Sequence, residues 1–581
     1  MRNHVSRYLT ALIAVGCAAT TAACTSLPSN SEPQALRSFE ASASEEPQGP
    51  VEDQEPDLLL RDFYEANNNP QQRYSLARRY LTHRASQSWN PAPETLVLDG
   101  IEINSAADSS TKNRRYDVRG LIVGSIGEGG EYRPRNERYS TTIGLEKVDG
   151  QWRISTLPDQ IVVQRNELWN HYRQKQVYFF DTSGTTLVAD RRWIFQEKMG
   201  HNDNHESALL SLILTGPSKS LAPGVVNEVP SGAAYAGYHD DYYQFTGLSS
   251  LDEDSLKRLT AQSVWTLALA EVPGPYRFKF DGATMKSPIN GSEDLTVDDF
   301  AEYNPLPQQA VDSGLYAFNS NGVKKLNQGV ATPTTGTLGN THNIESMAVS
   351  AKTGATAAVR TAVEGDAKTS TLMLGPIGGQ FVDVLKARRL TSPSFELSSS
   401  SLWVVKDSDQ VVRLSRSSEN EGIVETVVDT SELGSLGKNI SALQLSRSGV
   451  RAAFIVDGSV YTATVARPNP GQRKLVNVQE IIPSLANVAQ SLAWQPNGSL
   501  IVGTSKPDAP VWIVAQDGSL GSKLSAGNIV APVMNVAASQ STLYISDARA
   551  ALELPNSDTS TTYWREVQGL EGSRSVLVVP R

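Results

Sequence analysis

Val177-Tyr178-Phe179-Phe180-Asp181-Thr182-Ser183-Gly184 begins the stretch, residues 177–282, that decides how this chain is organised. The apolar run turns at Thr182-Ser183-Gly184 and returns as Leu187-Val188-Ala189-Asp190-Arg191-Arg192-Trp193-Ile194-Phe195, the second arm of a hairpin. A helical segment at 206–214 follows and stops at Gly216-Pro217, because Gly accepts a positive φ past the last turn and Pro cannot continue the ladder. Tyr242-Tyr243-Gln244-Phe245 reads as a third strand. Ser250-Leu251-Asp252-Glu253 has the spacing of a capping box, the serine and glutamate each satisfying a free amide. The helix behind it carries Leu256, Leu259, Ser263, Leu267 and Ala270 on one face. Tyr276-Arg277-Phe278-Lys279-Phe280-Asp281-Gly282 closes the unit as a strand of alternating apolar and charged residues. Two strands, helix, strand, helix, strand predicts a small α+β domain whose sheet is covered on one side.

The wording of three segments is specific. YFFDTSGTTLVADRRW (178–193), LILTGPSKSLAPGV (212–225) and AQSVWTLALAEV (261–272) together resemble the GerMN domain, the sporulation and germination module. Nearly the whole chain resembles the actinobacterial LpqB lipoprotein family, in which that domain precedes a propeller. The resemblance brings no catalytic residue and no cofactor. It implies an accessory to a membrane sensor histidine kinase, touching the extracytoplasmic part of an MtrB-like kinase. Signalling through MtrA, and with it cell-wall maintenance and division, would then be tuned.

At 581 residues the chain exceeds one core and predicts three or four domains. A net charge of −10 argues against a nucleic-acid partner, since phosphate binding needs a basic face. The only two cysteines, Cys17 and Cys24, lie at the N-terminus, so the body of the protein has neither a disulfide nor a thiolate metal site. Targeting is what remains to explain them.

Arg2 and Arg7 precede a short apolar run, residues 8–23. A membrane span needs ~20 apolar residues, so residues 1–23 read as a secretory signal peptide. Thr21-Ala22-Ala23-Cys24 resembles a lipobox, in which small residues precede a cysteine that is acylated and becomes the new N-terminus. That resemblance makes Cys24 an N-palmitoyl, S-diacylglycerol cysteine, holding the protein to the extracytoplasmic face of the cell membrane. Thr21 departs from the usual Leu, Val or Ile, and Cys17 is a rival that leaves a very short apolar run. Each buried methylene contributes ~0.8 kcal/mol, so several acyl chains hold where one would not. Residues 24–55 are Ser/Pro/Glu-rich, without apolar periodicity, and predict a disordered acidic linker. Its reach as a flexible chain is about 30 Å.

Residues 56–176 predict an α+β domain. Leu59, Leu60, Phe63 and Tyr64 stripe one helix, and Tyr74, Ala77, Leu81 and Ala85 a second over 71–88. Strand patterns follow at 95–103, 116–126, 139–148 and 151–156, the last two joined by Asp149-Gly150, a favoured hairpin turn. This order resembles the NTF2-like (cystatin-like) arrangement, with Tyr64, Tyr74, Tyr80 and Trp89 read as core. Residues 177–304 form the GerMN-like domain and 305–581 a repeating all-β region. Met347-Ala348-Val349-Ser350, Phe395-Glu396-Leu397-Ser398, Leu443-Gln444-Leu445-Ser446 and Leu492-Ala493-Trp494-Gln495 open similar units about 48 residues apart. Four strands at that period predict a propeller of about six blades. Leu315 to Phe318 begins a partial blade that residues 575–579, at the far end of the chain, complete.

Motifs for chemistry are sparse. His201-Asn202-Asp203-Asn204-His205-Glu206 places two histidines and carboxylates together, but not in the HExxH order, and reads as a solvated loop leading into a helix. His239-Asp240-Asp241 reads as a turn, and Asp298-Asp299 as adjacent strand residues pointing opposite ways. The glycines at 124–130 read as a hairpin turn rather than a phosphate loop, and no G-x-S-x-G elbow is present. Two functions fit: a lipid-anchored, non-enzymatic accessory of the kinase, or an envelope glycan-binding protein or cell-wall hydrolase with ligand in the GerMN or propeller domain.

Overall fold

The computed structural model describes residues 49–107, 113–196, 203–306, 314–365, 367–416, 422–524, 527–556 and 563–581. Cys17, Cys24, the signal segment and most of the linker lie outside these residues. Residues 51–581 make one compact unit, built from two α+β domains and an all-β propeller.

The first domain starts with α1 (Pro56–Ala66), which buries Leu59, Leu60, Phe63 and Tyr64 as its stripe requires. The expected helix over 71–88 is instead two, α2 (Gln71–Arg78) and α3 (His83–Ser88). Between them the chain leaves the helix to join a sheet edge: Thr82 N donates to Ile154 O and Ile154 N to Tyr80 O. The Thr82 side chain then accepts from Ala85 N and caps α3. Strands β1 (Thr95–Ser105), β2 (Asn113–Ile126), β3 (Tyr132–Val148), β4 (Gln151–Thr156) and β5 (Ile161–Gln164) form one sheet in the order β4-β3-β2-β1-β5. Asp149 and Gly150 both have positive φ and make the two-residue β3–β4 turn. Tyr64, Tyr80 and Trp89 are core, and Tyr74 packs against them half-buried.

The short α4 (Arg165–His171) leads into the hairpin of β6 (Tyr172–Phe180) and β7 (Leu187–Phe195). Then come α5 (Asp203–Thr215), β8 (Ala234–His239), β9 (Tyr242–Thr246), α6 (Glu253–Leu269), β10 (Phe278–Phe280) and β11 (Ala283–Thr284). The expected single sheet is two: β6-β7 stands apart from a four-stranded sheet in the order β11-β10-β9-β8. β9 and β10 pair in parallel, which the α6 crossover makes possible. The cap of α6 is Asp252, accepting from Ser255 N, rather than Ser250, because a carboxylate already sits at the turn's last extended residue. Residues 259–267 of α6 are buried all round rather than on one face, since the helix is wedged between β6, α5 and the turn at 297–303. That turn is a 3₁₀ helix, so Asp298-Asp299 is not in a strand; Asp299 closes a capping box with Thr296.

Beyond residue 314 the described chain forms six four-stranded antiparallel sheets. The inner strands Ile344–Val349, Ser394–Phe395, Ile440–Leu445, Ala489–Trp494, Asn535–Ala538 and Val576–Val578 touch in succession and close the ring. In the first blade, Val576–Val578 pairs with Leu315–Asn319, so the C-terminal end completes the blade that begins the propeller.

Candidate functional site

Strand β7 alternates as strands do, placing Asp190 and Arg192 on one side. Both are buried, 3% and 2% exposed. Two charges in an apolar setting persist when they are paired and hydrogen-bonded. Arg192 Nη2 lies 2.7 Å from Asp190 Oδ2 and donates to Gly216 O at 3.0 Å. Asp190 accepts from Ser218 N at 2.7 Å and Ser218 Oγ at 2.8 Å. Arg192 Nη1 donates to Gly129 O at 2.9 Å, across to the first domain's β2–β3 hairpin. Ser220 N donates to Glu131 Oε1 on that same hairpin. Gly130, at φ 79°, lies so close that an added Cβ would stand 2.3 Å from Trp193 O. Tyr132, Leu168, Tyr172 and Trp193 then bury a shared apolar patch between the two domains.

The opposite side of the same hairpin docks on blades four and five. Trp193 Nε1 and Gln174 Nε2 donate to Asp517 Oδ2 at 3.3 and 3.1 Å. Arg451 Nη2 donates to Ala189 O at 2.9 Å, and Gln516, with its amide oxygen turned inward, accepts from the rest of that guanidinium. Burial pulls Arg451 down to about 10, partly offset by Asp190, so it stays protonated at neutral pH. Arg467 pairs with Asp181 at 3.5 Å. Thr464 Oγ1 and Asn477 Nδ2 both donate to Ser220 O, at 2.8 and 2.9 Å. Val450 of blade four is part of the middle domain's core. Gly224 rests against it: an added Cβ would meet Val450 Cγ1 at 2.6 Å and Thr464 Cγ2 at 2.8 Å. Asp181, Asp190, Arg192, Gly216, Ser218, Ser220 and Gly224 all belong to two of the three segments whose wording marked the middle domain. Their shared work is to join three domains.

The propeller encloses a second feature, a channel of about 1650 Å³ lined by the inner strands of all six blades. Its wall is rich in neutral polar groups, among them Gln444, Gln490, Gln495 and Asn535. Glu396 faces it but is committed to Trp403 Nε1 at 2.9 Å and Arg413 Nε at 2.8 Å, with Arg473 of blade four 3.6 Å away. Lys352, Arg447, Arg574 and Arg581 also line the space.

The residues singled out for chemistry disperse. His201 and Asn202 lie outside the described residues. Glu206, in the first turn of α5, accepts from Tyr243 Oη at 2.5 Å. Burial, then Lys175, pulls His205 below its ordinary value, so it is neutral at pH 7. Asp240 and Asp241 both have positive φ and form the β8–β9 turn. Among the described residues no group of three or more His, Cys, Asp or Glu could hold a metal ion. What sequence reasoning missed was the Asp190–Arg192 pair; its signal was two charges at i and i+2 inside an otherwise buried strand.

Three family models match in order: Lipoprotein LpqB, N-terminal domain, at residues 49–169; Sporulation and spore germination at 176–286; and Lipoprotein LpqB beta-propeller domain at 321–580. Lipoprotein LpqB of Corynebacterium jeikeium (strain K411) is 35% identical over 96% of this chain and 95% of its own. The namesake in Rhodococcus opacus (strain B4) is 34% identical over 99% and 98%, and that in Mycolicibacterium smegmatis 31% over 99% and 100%. With three matched domains in this order and that identity along nearly its full length, the chain belongs to the LpqB lipoprotein family.

Proposed function

We propose that this protein is a lipid-anchored, non-enzymatic accessory that binds the extracytoplasmic part of an MtrB-like sensor histidine kinase and modulates its signalling. The observation that carries the reading is the junction: polar contacts, several of them buried, tie the middle domain both to the first domain and to blades four and five, so the described chain offers one continuous surface. The anchor is supported by the relatives' name and by Cys24 behind an apolar leader. No helix among the described residues is long and apolar enough to cross a membrane. The kinase follows from the family resemblance. To act, the protein must bind one kinase state better than another; a tenfold change in their ratio needs about 1.4 kcal/mol of difference. The channel favours the second reading, binding of an envelope glycan. Titrating the membrane-extracted protein with the purified kinase domain, and separately with cell-wall fragments, tests both. Saturable binding of the kinase domain supports the accessory reading; binding of fragments alone contradicts it.

The address has its own test. Intact mass of the membrane-extracted protein should show a chain beginning at Cys24 with acyl chains attached, and Cys24→Ala should abolish the modification. An unmodified wild-type chain in the soluble fraction would remove the anchor.

A further inference from the structure

We infer that one mouth of the propeller channel is an anion subsite, in which Arg447 and Arg581 hold the phosphate or carboxylate of a hydroxyl-rich ligand such as a sugar phosphate or sugar acid. The placement follows from the strands. The C-terminal ends of the inner strands meet at this mouth: Arg581 N donates to Val349 O, Ala351 N to Arg581 O, and Ser350 Oγ lies 2.6 Å from Ser399 Oγ. From the inner strand of blade one, the Arg581 side chain reaches blade four, three blades round the ring, where Nη1 donates to Gln444 Oε1 at 2.8 Å. Gln444 is three residues before Arg447, which lines the same space. Two guanidinium groups therefore converge in one cavity.

Among the described residues, no side-chain carboxylate pairs with either. Burial lowers Arg447, and burial and then Arg447 itself lower Arg581 to about 10. Both stay charged at neutral pH. Both residues remain exposed to solvent within the channel. Cations set side by side are stabilised by an oxyanion, and the guanidinium fork matches the geometry of phosphate or carboxylate. Among the described residues Arg447 has no hydrogen-bond acceptor to give up, and Arg581 gives up one. Gln444 and Gln495, with Ser446, supply donors and acceptors suited to hydroxyl groups rather than to an apolar ligand. The carboxylates nearest in the wall are already committed: Glu396 as above, and Glu345 to Lys368 at 3.1 Å. This subsite is independent of the kinase reading, and either can fail alone.

The test is calorimetric titration of the detergent-solubilised full chain with glucose 6-phosphate, glucuronate, glucose and inorganic phosphate. The variants are Arg447→Gln, Arg581→Gln and Arg581→Lys, with Arg388→Gln, an exposed arginine outside the channel, as control. Each charged hydrogen bond lost should raise Kd by about tenfold. Arg581→Lys should recover part of the loss, since the charge remains and the fork does not. Unchanged thermal unfolding confirms that the variants fold. Binding of either charged sugar, weakened by both glutamine variants and not by the control, supports the subsite and says which oxyanion it prefers. Heat from neither charged sugar up to about 10 mM, glucose binding equally well, or Kd unmoved in both variants would overturn it. Inorganic phosphate binding as tightly as glucose 6-phosphate would overturn the role of the polar wall.

Discussion

Asp190 and Arg192 are the residues on which the domain arrangement turns. Both are buried, and between them they satisfy two main-chain carbonyls, one amide and one hydroxyl. Asp190→Ala would leave a guanidinium buried without its counter-charge, at a cost of about 3–5 kcal/mol. Urea unfolding of the full chain measures that loss. An effect within about 0.5 kcal/mol, the range of ordinary surface changes, would mean the pair is not carrying the junction. Glu396 gives a pH signature. Burial raises its pKa, but hydrogen bonds from Arg413 and Trp403, with the nearby Arg473, outweigh burial and leave it below the ordinary 4.5. A carboxylate depressed in the folded state stabilises it fully above the unfolded value and loses that contribution as pH falls through the folded one. Stability should therefore decline below about pH 4.5, and Glu396→Gln should flatten part of that decline. An acid limb identical in wild type and variant contradicts the assignment.

At the scale of elements, two close fits can be broken separately. Gly224, in the short turn after α5, has no room for a Cβ against Val450 and Thr464. Gly224→Val should cost about 1–3 kcal/mol by overpacking and loosen the middle domain from blade four, seen as new protease cuts near residue 224. The closing strand Val576–Val578 is the inner strand of blade one. Removing residues 575–581 exposes the edge of Leu315–Asn319 and should replace one unfolding transition of the propeller by a broad one, measured by circular dichroism. Sequence was most legible where local chemistry decides: the stripe of α1, the Asp149-Gly150 and Asp240-Asp241 turns, and the blade period. It failed where distant strands intervene. Helix 71–88 is split because Ile154 takes the backbone of residues 80 and 82 into its sheet, and β5, four residues long, carries no alternation to betray it. Helix α6 gave a one-faced pattern because Thr260, Gln262 and Thr266 are polar yet buried. Thr260 and Ser263 return their hydroxyls to the helix's own carbonyls, and Thr266 accepts from Tyr178 N of β6.

For the whole molecule, three domains bound through the β6–β7 hairpin and the segment at 216–224 should behave as one body rather than as beads. The channel was foreseeable only as a consequence of the propeller, since its lining residues come from all six blades and share no motif. The pairing of Arg447 with Arg581 lies beyond sequence reading altogether: it depends on the first blade being closed by the last strand. The proposed function belongs to this scale too, in what a tethered platform would touch. The most direct measurement is autophosphorylation of the MtrB-like kinase reconstituted in lipid vesicles, with this protein or its Cys24→Ala form added to the face bearing the kinase's extracytoplasmic domain. The account predicts that acylated protein changes the rate at a lower concentration than the unanchored variant, because tethering raises the effective concentration of the binding surface. A kinase rate indifferent to the acylated protein at saturating surface density would contradict it.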